Sequence, residues 1–141
     1  MQHDRFKLAH TWRSNATHDL DLAKAIFGQF PSRACFHAQQ AAQMSLKGAL
    51  VALSDDHPRT HVADELLTEL KALGVAVPDH VVSSANALDL YYVSSRYPDA
   101  LAGADPTVVI SCDDARIAIR RAESVLEFSR GLISTESASE A

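Results

Sequence analysis

Cysteine is scarce in this chain: Cys35 and Cys112 are its only two, far apart and in no C-x-x-C or Cys/His ligand spacing. That excludes a disulfide scaffold and a structural zinc site, and free thiols in a reducing compartment are the simplest reading. Long apolar runs are missing too. Nothing approaches the roughly 20 residues that span a bilayer, and the start MQHDRFKLAHTW has no apolar signal core. We therefore expect a cytoplasmic protein with no membrane partner. A basic surplus is absent as well, since the formal net charge is -5. Sequence-independent attraction to DNA is thereby excluded, and any nucleic-acid contact must use a local basic patch. There is no P-loop, no Gly-x-Ser-x-Gly elbow and no reactive Cys/His spacing.

What is present is apolar residue at helical spacing. With 47% hydrophobic residues in 141, the chain can bury a core as one domain, expected over residues 1–133 with a polar, disordered tail over 134–141. All five prolines fall between periodic segments, as expected when an interior proline costs a helix about 3 kcal/mol. Five helices are predicted: about Phe6 to Gly28, Ser32 to Ser54, His61 to Leu73, Asp79 to Ser95, and from Cys112 or Asp113 onward. Ser111 is placed to cap the last and Gly74 to end the third. The second carries Ala38, Ala41, Ala42, Leu46, Ala49 and Leu50 on its inward side, so its neighbours should approach closely. Thr107 to Ile110 reads as a loop, because one isolated β-branched strand would have no partner. The fold class is all-α, an antiparallel up-and-down bundle.

Five fragments go beyond periodicity. Trp12, Ala16, Asp19-Leu20 and Ala23 match W-x3-A-x2-DL-x2-A, and FHAQQAAQMSLKGAL from Phe36 to Leu50 is similar to FHxQQAAEKxLKAxL. Thr60-His61 opens a leucine-rich helix, Tyr92 to Asp99 is similar to Y-x2-TRYPD, and Ala122 to Phe128 is similar to A-x2-VLEF. In order, over about Trp12 to Leu132, they make the chain resemble the HEPN family of helical bundles. Gln43 and Met44 depart from it, standing where the family commonly has Glu and Lys. The resemblance implies a homodimer that binds a nucleotide or RNA and partners a small nucleotidyltransferase in a toxin–antitoxin-like arrangement, with no cofactor. The residues it places around one groove are His37, Gln40, Lys47, His61, Arg96 and Tyr97.

Each of these has a plainer reading beside the functional one. His37, Gln40, Met44 and Lys47 share a sector of about 80 degrees on one helix, which suits phosphate and base contacts or a solvated or dimer-lining face. Arg96 and Tyr97 sit where a helix meets proline, as a phosphate clamp and stacking ring or as a structural corner. His61 joins that region or serves as a helix-start packing residue. His57 and His61 are four apart, but Pro58 breaks the helix a metal pair would need, so no metal is expected. Arg116, Arg120 and Arg121 form the best basic patch, beside Asp113, Asp114 and Glu123, which suit a surface ion-pair network equally well.

HEPN ribonucleases use a late R-x4-6-H motif, with histidine transferring a proton and arginine stabilising the phosphate. Here the last histidine is His80, so Arg96 and all later arginines lack one. Arg5-x4-His10 and Arg13-x4-His18 match early in the chain, where about one match is expected by chance. A ribonuclease with an atypical Arg/His pair is the enzymatic alternative, and a purely structural dimerisation module is the third.

Overall fold

Alanine recurs at the inward positions of one helix and lets neighbouring backbones close in on it, and the bundle is organised around that helix. The computed structural model describes residues 2–54, 59–94 and 103–140, with side chains for 4–54, 59–93 and 103–133. The elements are α1 (Gln2–Ile26), α2 (Pro31–Ser54), α3 (Ala63–Ala72), α4 (Asp79–Asp89), α5 (Tyr91–Ser94), α6 (Pro106–Val109) and α7 (Cys112–Glu140). Among the described residues there is no strand. The central helix is α2, where Ala34, Ala38, Ala41, Ala42, Ala49 and Ala52 are all fully buried.

Contacts along the helices fix their directions. Asp19 meets His37 while Ala9 and Trp12 meet Gly48, so α1 runs antiparallel to α2. Ser45 and Ser129 pair at 3.0 Å and the Gly48 side faces Ile133, so α7 runs parallel to α2. Lys24 pairs with Glu123 at 3.3 Å, making α1 antiparallel to α7 as well. α4 lies along α7 with Val81 near Phe128 and Tyr91 near Asp114, again antiparallel. The order α1, α2, α4, α7 is thus up, down, up, down. α3 starts beside Gln39 and ends beside Leu50 and Ser54, running in the same direction as α2. The core fills with Leu46, Leu50, Leu66, Leu70, Leu88 and Val125, each worth about 1.5–3 kcal/mol when withdrawn from water.

The helix ends refine the sequence reading. Ser111 caps α7: its hydroxyl accepts from Asp114 N at 3.1 Å while Asp114 Oδ2 accepts from Ser111 N at 2.9 Å, a reciprocal capping box. Gly74 follows α3 with φ +91°, where Val75 N donates to the Leu70 carbonyl at 3.1 Å, the left-handed close that glycine favours. The segment read as a loop over Thr107 to Ile110 is instead the single turn α6. Asp105 starts it, accepting from Thr107 N at 2.9 Å, and Pro106 presets the first helical φ. The predicted fourth helix is interrupted at Leu90, giving α4 and α5. The backbone of α7 continues as helix through 134–140, the stretch expected to be a disordered tail, and Ile133 is buried in the core.

Gly48 is where α1 comes closest. A Cβ there would lie 3.0 Å from both the Ala9 carbonyl oxygen and Trp12 Cβ. Backbone cannot give way as a side-chain tip can. Gly48→Ala should therefore destabilise the protein by about 1–3 kcal/mol in urea titration, overriding the roughly 1 kcal/mol that alanine gains in an open helix.

Candidate functional site

Gln39 sits on the inward face of α2 among alanines and leucines and is 0% exposed, so its amide must find partners inside the protein. Its Nε2 donates to the His61 carbonyl at 2.8 Å and to Asp89 Oδ1 at 3.1 Å. The same carboxylate caps α3 from outside: Ala63 N donates to Oδ1 at 2.8 Å and Asp64 N to Oδ2 at 2.9 Å. Val62, at the N-cap position itself, offers no side-chain acceptor. This explains why α3 begins at Ala63 and not at His61. His61 stays outside the helix, its carbonyl taken by Gln39.

The amides continue along α2 in one direction. Both acceptors at the Asp89 end require Gln39 to donate, which leaves Gln39 Oε1 to accept from Gln40 Nε2 at 2.8 Å. Gln40 Oε1 then accepts from Gln43 Nε2 at 3.5 Å, and Gln43 Oε1 is enclosed with no hydrogen-bond partner among the described residues. The His61 carbonyl and Asp89 together thus set the polarity of the whole relay.

Beside the relay runs a row of rings. Exposed His61 stacks on Tyr92 of α5 at 5.4 Å and 11°. Tyr92 leans on Phe36 at 6.3 Å, and Phe36 meets His37 edge-on at 5.4 Å. His37 Nδ1 lies 3.2 Å from Asp19 Oδ1 of α1, at ion-pair distance though off hydrogen-bond alignment. The row therefore crosses α2 from the start of α3 to α1.

Of the six residues expected around a groove, the structure brings His37, Gln40 and His61 together at the N-terminal half of α2. Lys47 lies two turns further along and is 7% exposed, with its Nζ 5.6 Å from the Trp12 ring centroid. It belongs to no solvated stripe, and burial holds its amine below the usual lysine range. Arg96 and Tyr97 lie outside the described residues. Sequence reasoning missed Asp19, Phe36, Gln39, Asp89 and the site role of Tyr92. Gln39 carried a readable signal, an amide on an otherwise apolar helix face.

Other chemistries find less support. Cys35 is buried, and its thiol is pushed up to about 12 by burial and then by the Asp114 carboxylate, against a hydrogen bond from Tyr91. A thiol so held is no nucleophile at neutral pH. Among the described residues no cluster of three histidine, cysteine or acidic side chains could hold a metal. Arg5 and His10, like Arg13 and His18, lie five apart on α1 and so point about 140 degrees away from each other. Arg116 pairs with Asp113 and lies over the Phe27 ring at 5.4 Å, and Glu123 with Lys24, so part of the basic patch is an ion-pair surface.

The HEPN domain family model matches residues 9–132. The chain belongs to the HEPN domain family. Two solved structures are similar to it: TT1696 from Thermus thermophilus, at TM-score 0.82 and 34% identity, covers 88% of this chain and 97% of that one. ST0689, an archaeal HEPN homologue, has TM-score 0.74 and 29% identity, covering 89% of this chain and 97% of its own. No curated protein matches the chain. No helix among the described residues of this HEPN domain is long and apolar enough to cross a membrane.

The Asp89 carboxylate is the most exacting partner at the site. Asp89→Ala should cost about 2–4 kcal/mol in chemical denaturation, because two helix-start amides and Gln39 lose their acceptor together. Exchange of the Ala63 and Asp64 amide protons should accelerate with it.

Proposed function

We propose that this HEPN chain is a homodimeric, non-cleaving nucleotide- or RNA-binding partner of a small nucleotidyltransferase, in a toxin–antitoxin-like pairing. The observation that carries the binding half is the ring row, His61 on Tyr92, then Phe36 and His37. A base has a π-face whatever its identity, so a row ending in an exposed ring accepts it by continuing the stack, worth about 1–3 kcal/mol per base. Gln40, half-buried beside the row, supplies amide hydrogen bonding to a base edge. The formal charge of -5 disfavours long polyanions and favours a short ligand held at one place. Family membership supports the nucleotidyltransferase partner and the dimer.

Calorimetry with ATP and with a short single-stranded RNA tests the binding half. Saturable heat is expected, with affinity falling about tenfold or more in His61→Ala. No heat from any common nucleotide or from RNA overturns it. Size-exclusion with light scattering should give a dimer at micromolar concentration, and a monomer there removes that element. Labelled RNA incubated with the protein and EDTA should remain intact. Cleavage abolished by His18→Ala or His61→Ala would establish the ribonuclease alternative instead.

A further inference from the structure

Where this α2 face meets α1, two enclosed polar atoms, Gln43 Oε1 and Trp12 Nε1, have no hydrogen-bond partner among the described residues, and Lys47 stands beside the Trp12 ring. Lys47 is 7% exposed, and among the described residues no carboxylate forms an ion pair with it. Its ammonium is not among the enclosed polar atoms and lies 5.6 Å from the Trp12 ring centroid, so the charged tip stays open to an incoming anion. The Trp12 indole Nε1 is itself enclosed and donates to no group among the described residues. Gln43, one turn before Lys47, is 3% exposed, and the relay polarity imposed by the His61 carbonyl and Asp89 turns its unpartnered Oε1 away from Gln40. A position serving packing alone would carry leucine or methionine, since an unpaired buried polar group costs stability.

We propose that Lys47, Trp12 and Gln43 form an oxyanion subsite that takes a phosphate group, with the Trp12 indole as its roof. Lys47 supplies the compensating point charge and Trp12 Nε1 a second donor. Gln43 Oε1 selects phosphate over carboxylate, because a phosphate monoester near its second pKa of about 6 retains a P–OH to donate, as does a neighbouring sugar hydroxyl. Gln40 and Lys47 are seven residues apart, about 10 Å along the helix, so base and phosphate ends would occupy successive stretches of one face. That last assignment rests on the nucleotide reading above. The subsite itself does not, and free phosphates would fill it equally.

Trp12 is the only tryptophan in the chain, so its emission reports its own roof. The intact protein is titrated at constant ionic strength with tripolyphosphate, ATP and adenosine, using sodium chloride as control. Tripolyphosphate and ATP should change Trp12 emission saturably and adenosine should not. Lys47→Met keeps the stem and removes the charge, and should weaken tripolyphosphate at least about tenfold. Trp12→Phe, followed by calorimetry, should weaken it as well and serves if Lys47→Met does not fold. An unchanged affinity in whichever variant folds, or no saturable response to either phosphate compound, overturns the subsite. ATP binding that tripolyphosphate cannot displace and Lys47→Met leaves intact overturns it while sparing the ring-row reading. ATP binding no tighter than tripolyphosphate sustains the subsite and removes the base half of the proposed function.

Discussion

One carboxylate, that of Asp89, decides how the polar side of this bundle is wired. Standing at the end of α4, it accepts from two backbone amides that open α3 and from the amide of a glutamine buried in α2. Three helices therefore meet at two oxygen atoms. Helix starts carry orphan N–H groups and partial positive charge, and a carboxylate is their strongest complement. The break at Leu90 belongs to the same arrangement. With α4 ending there, Asp89 serves α3 while Tyr91 and Tyr92 of α5 turn to Cys35 and Phe36.

From that anchor the site acquires order at no further cost in strain. The His61 backbone is fixed by Gln39, so its ring is presented to Tyr92 by a held carbonyl and not by its own side chain. The relay Gln39, Gln40, Gln43 inherits its direction from the same anion and the His61 carbonyl, and a neutral amide string thus carries a defined donor-to-acceptor sense along α2. A pair of glutamines that reads as a family marker is, physically, the conductor of that sense.

The architecture was legible because its determinants are local. Proline positions, the alanine spacing of α2, Ser111 and Gly74 all act within a few residues, and the starts of α2, α3, α4 and α7 and the ends of α1, α2 and α3 fall within a few residues of those expectations. Tertiary devices were not legible. Nothing around Val62 signals a cap supplied by Asp89, 26 residues beyond Ala63, nor does the ALDL string around Asp89 announce it. Likewise the 80-degree sector places His37, Gln40 and Lys47 on one side of the helix, but angle alone could not show that Lys47 lies buried beside the Trp12 ring two turns from the others. Position 43 gains meaning in the same way. Glutamate there, as the family pattern commonly has, would stand four residues before Lys47 as a ready counter-ion. This chain's glutamine supplies no such charge.

Trp12 stands where α1 crosses the only glycine of α2, and nowhere else does the chain carry an indole. The joint between α1 and α2 is therefore optically labelled, whereas the Asp89 junction of α2, α3 and α4 is silent in that signal. Helical dichroism sums over both. Whether the two signals melt together states directly whether the bundle behaves as one cooperative unit, or whether α1 can leave α2 while the carboxylate-held junction persists.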